Sequence, residues 1–210
     1  TRRRAKLRLV EVAVLLGEAA QVSRRAAAWR REHPDAAPAE MARALRLEAT
    51  GLAREGRTEC ALGRLEEADR VGAESSVAER VETALVRAQV HALAGRFDEE
   101  DGVYAALRPL ALAAGDDRLA ARFLAQEARG LLDRREYGRA LVRLDEAIAA
   151  AADEPAERAA LSIDLAATLY HSGQAERSEA ALGDAIVAAA AAGREDLSRI
   201  ARSNRVELLL

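Results

Sequence analysis

The sequence predicts an all-α chain built as a stack of antiparallel helical hairpins, and three observations carry that prediction. The palette is dominated by Ala, Leu, Arg and Glu, with half of the residues hydrophobic and only 3% aromatic, which favours helices over strands. Short turns recur along the chain: Ala19 in LLGEA, Thr58 after AREGR, Phe97 after ALAGR, Tyr137 in DRREY and Ala175 in HSGQA, with separations of 39, 39, 40 and 38 residues. A small residue recurs nine positions before four of these turns, at Ala49, Ala88, Ala128 and Ala166, where it lets two helices approach closely; Val10 holds that place in the first unit.

Each unit reads as helix, tight turn, helix. Six residues before the turn stand Leu52, His91, Leu131 and Leu169, with Ala13 in the first unit. After the turn come Ala61, Glu100, Ala140 and Ser178, then Leu65, Tyr104, Leu144 and Leu182, then Ala68, Leu107, Ala147 and Ala185. Their offsets of three, four and three place them on one helical face. Breaks with helix-stop and helix-start chemistry separate the units at 31–38, 72–76, 114–117, 152–155 and 192–196, where Gly suits a C-terminal cap and Ser or Asp the next N-cap. The expected units are 1–35, 36–75, 76–115, 116–155 and 156–195, with a truncated sixth at 196–210, all in one helical-repeat domain. Pro109, inside the second helix of the third unit, is expected to kink or shorten it. At the end, IARSNRVELLL continues in the register of a sixth first helix without its partner, an apolar face expected to dock, to self-associate or to continue into a larger protein.

Charge and cysteine content narrow the function classes. The basic residues are 31 Arg and the single Lys6, a bias read as genomic composition. The first 31 residues hold nine basic groups against Glu11 and Glu18, a head near +7, while the rest carries 23 basic and 33 acidic groups, a body near −10. Cys60 alone excludes an intrachain disulfide and, with three scattered histidines, leaves no zinc-ligand spacing; a reducing cytoplasm fits best. The opening segment superficially resembles a leader, but Glu11 interrupts its apolar run, and it reads as an amphipathic helix; no stretch reaches membrane-spanning length.

The pattern Ala-x-x-Leu, a turn with Gly and an aromatic, then Ala-x-x-x-Leu-x-x-Ala, as in ARGLLDRREYGRALVRLDEA, resembles tetratricopeptide repeats over essentially the whole chain. That resemblance implies a right-handed α-solenoid whose first helices line a binding groove. Departures are the period near 39 rather than 34, Leu or His91 where a bulky aromatic is usual, and Glu48, Arg87 and Glu127 where Leu is common. The longer period is similar to repeats of bacterial regulators of the maltose-activator type and of related signalling ATPases.

Candidate catalytic features are outweighed by structural readings. Carboxylate pairs such as Glu66/Glu67, Glu99/Glu100 and Asp116/Asp117 read as solvated charge in turns or on polar faces, Cys60 as a small buried thiol, and His91 as a packed or hydrogen-bonded core substitute. No phosphate-binding Gly loop occurs, and no cofactor or metal is expected. On helix 43–54, Leu45, Ala49 and Leu52 form the apolar face, and Arg43, Arg46, Thr50 and Arg54 the opposite one. Arg122, Arg129 and Asp133 hold equivalent places in the fourth unit, Glu82 and Gln89 in the third, and Tyr170 and His171 in the fifth. An arginine-lined groove would pair with carboxylates, so an acidic peptide or chain terminus is the expected ligand, set against arginines that merely pair with neighbouring Glu and Asp. The basic head, Arg2, Arg3, Arg4, Lys6, Arg8, Arg24, Arg25, Arg30 and Arg31, is read as a solvated helix surface near a domain junction in preference to a nucleic-acid or membrane contact.

The expected function is protein or peptide recognition, without catalysis, in a larger bacterial signalling or regulatory protein. The alternatives are a ligand-sensing arm of a transcription regulator or signalling ATPase, and an accessory array of a multidomain enzyme.

Overall fold

The computed structural model describes residues 2–15, 18–72 and 76–208, the side chains of residues 2–4 and 15 excepted. The turn at 16–17, the middle of the 72–76 break, the side chains of Arg2, Arg3 and Arg4, and the last two leucines therefore lie outside the described residues. Eleven helices occur among the described residues: α1 (Arg2–Leu15), α2 (Ala19–Glu32), α3 (Pro38–Arg54), α4 (Thr58–Val71), α5 (Val77–Leu93), α6 (Phe97–Leu112), α7 (Asp117–Asp133), α8 (Tyr137–Ala150), α9 (Pro155–His171), α10 (Ala175–Ala191) and α11 (Glu195–Leu208). The five turn markers of the sequence are the first residues of α2, α4, α6, α8 and α10.

Local chemistry explains the helix ends. Ser76 caps α5 by accepting the Glu79 N–H at 3.3 Å, and Asp116 caps α7 by accepting the Leu119 N–H at 2.9 Å. Pro38 and Pro155 open α3 and α9, where a missing N–H costs nothing and φ is already helical. That is why α3 begins at Pro38 and not near 43. Pro109 does not shorten its helix: α6 runs 16 residues, through the proline to Leu112, against 14 for α4 and α8.

The chain divides into two compact units, residues 1–111 and 112–210. In the first, α1 packs on α2, α2 on α3, α3 on α4, and α5 on both α3 and α4. Val10 and Ala13 of α1 meet Val22 and Ala26 of α2, and Ala49 and Leu52 of α3 meet Ala61 and Leu65 of α4 and Val90 of α5. Gly51 lets α3 approach α2 so closely that a Cβ there would sit 2.5 Å from the Ser23 backbone nitrogen. In the second unit, Ala128 and Leu124 of α7 pack with Leu144 and Ala147 of α8 and Leu161 of α9, and Ala166 and Leu169 of α9 with Leu182 and Ala185 of α10 and Ala201 of α11. The recurrent alanines Ala49, Ala88, Ala128 and Ala166 are all buried, as a close helix crossing requires.

Three further expectations fail. Cys60 is exposed, because it precedes the inward Ala61 by one position and is rotated ~100° from it on α4. Glu100 is buried and not on a polar face, since its place in the register turns it inward on α6. The α1 helix has an inward stripe of Leu7, Val10 and Ala13, yet its outer face also carries apolar Leu9, 62% exposed, and Val12.

Candidate binding surface

In the first unit, the polar face of α3 is held by neighbouring helices. Arg43 pairs with Glu11 of α1. Arg46 is buried, lies 2.6 Å from Glu79 Oε2 of α5, and donates to Thr83 Oγ1 at 3.4 Å. Thr50, also buried, donates its hydroxyl to the Arg46 carbonyl at 3.0 Å, and Arg54 donates to the Val14 carbonyl at 2.9 Å. These arginines are staples between successive hairpins. Glu82 of α5 is half-buried and Gln89 exposed. A cavity of about 320 Å³ opens beside them, lined by Arg46, Glu79, Arg80, Thr83 and Arg87 with Asp69 of α4.

The positions where Leu is common carry charge that is paired internally. Glu48 accepts from Arg30 at 2.9 Å and lies 3.1 Å from Arg64, which itself pairs with Glu67 at 2.6 Å. Two repeats later Glu127, buried, pairs with Arg143 at 3.2 Å, and Arg143 with Glu146 at 2.5 Å. Arg87 pairs with Asp69. In the basic head, Arg30 also reaches Glu67 at 2.9 Å and Lys6 pairs with Glu32 at 2.8 Å on the surface, so both cations are paired within the chain. His91 is half-buried; its Nδ1 is enclosed without a hydrogen-bond partner, and burial lowers its pKa. It is packed but not hydrogen-bonded through that nitrogen.

The second unit leaves its predicted residues more open. Arg122, Arg129 and Asp133 of α7 are exposed. Asp164 of α9 is half-buried, and burial raises its carboxyl pKa, an effect that the charge of Arg129 opposes. Tyr170, 57% exposed, and His171 end α9. Their rings meet edge to face at 5.7 Å, and Tyr137 of α8 stacks near His171 at 6.4 Å. A cavity of about 280 Å³ adjoins Tyr170 and His171, with Ala166 and Ala167 of the same helix, Ser178 and Leu182 of α10, and Asn204, Glu207 and Leu208 of α11.

The structure thus brings Arg43, Arg46, Thr50 and Arg54 together on one face, and Tyr170 with His171. Sequence reasoning missed Glu11, Glu79 and Thr83, which bind the α3 arginines, and Tyr137, Asn204 and Glu207, which join the aromatic pair. The first three carry one usable signal: complementary polar residues roughly one repeat away, as Glu11 is 32 positions from Arg43. Among the described residues no group of three His, Cys, Asp or Glu side chains could hold a metal, and no helix is long and apolar enough to cross a membrane.

No family model and no curated protein matches the sequence. Solved structures do match the fold. BtubC (BKLC) from P. vanneervenii aligns with a TM-score of 0.65 at 17% identity, over 88% of this chain and 78% of its own. A Rap protein complexed with competence and sporulation factor aligns with a TM-score of 0.65 at 10% identity, over 99% of this chain and 63% of its own. The TPR-like repeats of a putative kinesin light chain from Podospora anserina align with a TM-score of 0.59 at 17% identity, over 83% of this chain and 92% of theirs. At these identities the likeness establishes the architecture: an all-α, TPR-like helical-repeat solenoid.

Proposed function

We propose that this chain is a non-catalytic scaffold that binds a protein or peptide, within a larger bacterial signalling or regulatory protein. The observation that carries the reading is the division of labour on the first helices of the hairpins. Their alanine and leucine faces are enclosed, while Gln89, Arg122, Arg129, Tyr170 and His171 stand out in reach of a partner. The Rap structure, solved with a factor bound, supports the assignment by architecture.

The ligand's acidic groups are assigned to Arg122 and Arg129. Both are exposed, whereas Arg46 is buried, and an Arg46→Glu change would leave its carboxylate facing Glu79 in a buried place. Affinity capture on the immobilised chain, read by mass spectrometry, tests the reading with Arg122→Glu/Arg129→Glu as the comparison. Specific partners retained by the wild type and lost by the double variant are expected. A wild type that retains nothing beyond bare resin would overturn the scaffold reading; equal retention by both would overturn the arginine assignment alone.

One observation favours the ligand-sensing alternative, the cavity of about 320 Å³ in the first unit. Its size sits at the lower edge of the range of roughly 300–1,000 Å³ found for whole small ligands.

A further inference from the structure

The cavity at the end of α9 has a chemistry opposite to that of the arginine face. Among the described residues its walls contain one carboxylate, Glu207, and no Lys or Arg. The nearby Arg205 of α11 is drawn to Glu179 at 2.7 Å. The Ser178 hydroxyl already donates to the Ala166 carbonyl at 2.8 Å, so the polar groups left for a guest are Glu207, the Asn204 amide, the Tyr170 ring and the His171 ring. Ala166, Leu182 and Leu208 supply an apolar floor. Because α9 terminates at His171, the negative end of its dipole lies at the same place.

We infer that this cavity receives a basic side chain, arginine or lysine, of a bound peptide; the inference rests on the peptide-binding reading and names one residue class of that peptide. The aliphatic stem lies on Ala166, Leu182 and Leu208, and the cation meets the Glu207 carboxylate and the face of Tyr170. At about 280 Å³ the space suits one long side chain better than a whole small ligand. The site discriminates by charge: a carboxylate guest would face Glu207 and the helix C-terminus, both repulsive. Together with Arg122 and Arg129 on α7, it selects peptides that carry both signs of charge.

The test uses n-butylguanidinium as the probe on the full chain, followed by amide NMR shifts, with n-butylurea as the neutral isostere and valerate as the anion. Saturable shifts confined to residues 166–171, 178–182 and 204–208 are expected for the guanidinium alone. Glu207→Gln should weaken binding about tenfold, and Tyr170→Leu about threefold. Both positions are exposed, so neither variant threatens the fold. Equal shifts with n-butylurea, shifts scattered over the surface, or indifference to Glu207→Gln would each overturn the inference. Capture of partners by the wild type is read independently, so a failed probe leaves the scaffold reading intact, and failed capture leaves the probe result standing.

Discussion

Single residues set the turn geometry and the charge state of the groove. Gly56, Gly95 and Gly173 take positive φ two positions before α4, α6 and α10, and Arg135 holds that place before α8 with φ 61°. A side chain in this conformation is strained by about 1 kcal/mol. Gly173→Ala should therefore destabilise the chain by about 1 kcal/mol, and Arg135→Gly should move stability the other way, both read from urea unfolding midpoints. Asp164 makes a pH-dependent contribution. Burial raises its carboxyl above the ordinary value, so the folded state holds that proton more tightly than the unfolded chain does. Its contribution is full below the unfolded pKa and is lost as pH rises through the folded one, leaving a net cost at neutral pH. Asp164→Asn is expected to raise Tm at pH 7, with the gain gone near about pH 3; a gain of equal size at both would contradict the burial argument.

Between elements, α2 comes close to α3 at Gly51, where a methyl group would collide with backbone as well as side-chain atoms of Ser23. Gly51→Ala should cost about 1–3 kcal/mol by forcing the helices apart, a loss visible in the unfolding midpoint and absent from an exposed control such as Gly63→Ala, which meets nothing. The Glu127–Arg143 pair makes a second element-scale case. Arg143→Met takes a cationic partner from the buried Glu127 carboxylate and should lower the urea unfolding midpoint, while adding Glu127→Leu, the residue common in such repeats, should recover most of the loss. The fold was largely legible because its signals are short-ranged and periodic: the turn residues fall at the starts of five helices, and the recurrent alanines at their crossings. Cys60 and Glu100 were misread for opposite reasons. One stands a single position off an inward register; the other is in register, but its charge argued for the surface. At the candidate site Tyr170 and His171 were legible as neighbours on one helix. Glu207 and Asn204 were not, because they reach the cavity from α11, and no local spacing connects that helix to the end of α9.

At the scale of the whole chain, the boundary between the two compact units falls at Ala111/Leu112, in the last turn of α6, and each has cores made of helices near one another in sequence. In a repeat array of this kind stability is a sum of local terms and nearest-neighbour interfaces, so damage should stay near its source. Leu144 is fully enclosed among Leu124, Ala128 and Ala147 and is the natural place to introduce it. Truncation of a buried leucine to alanine costs about 2–5 kcal/mol. Hydrogen exchange on Leu144→Ala should therefore show protection falling by orders of magnitude in α7, α8 and α9, with α3 and α4 keeping wild-type protection. Equal loss in α3 and α4 would mean that the chain opens as one cooperative block, and the local description would have to be abandoned. If the loss stays local, the second unit can loosen its hairpins around Tyr170 and Glu207 without unfolding the first, and a partner held there would restore protection in α9 and α11 before anywhere else.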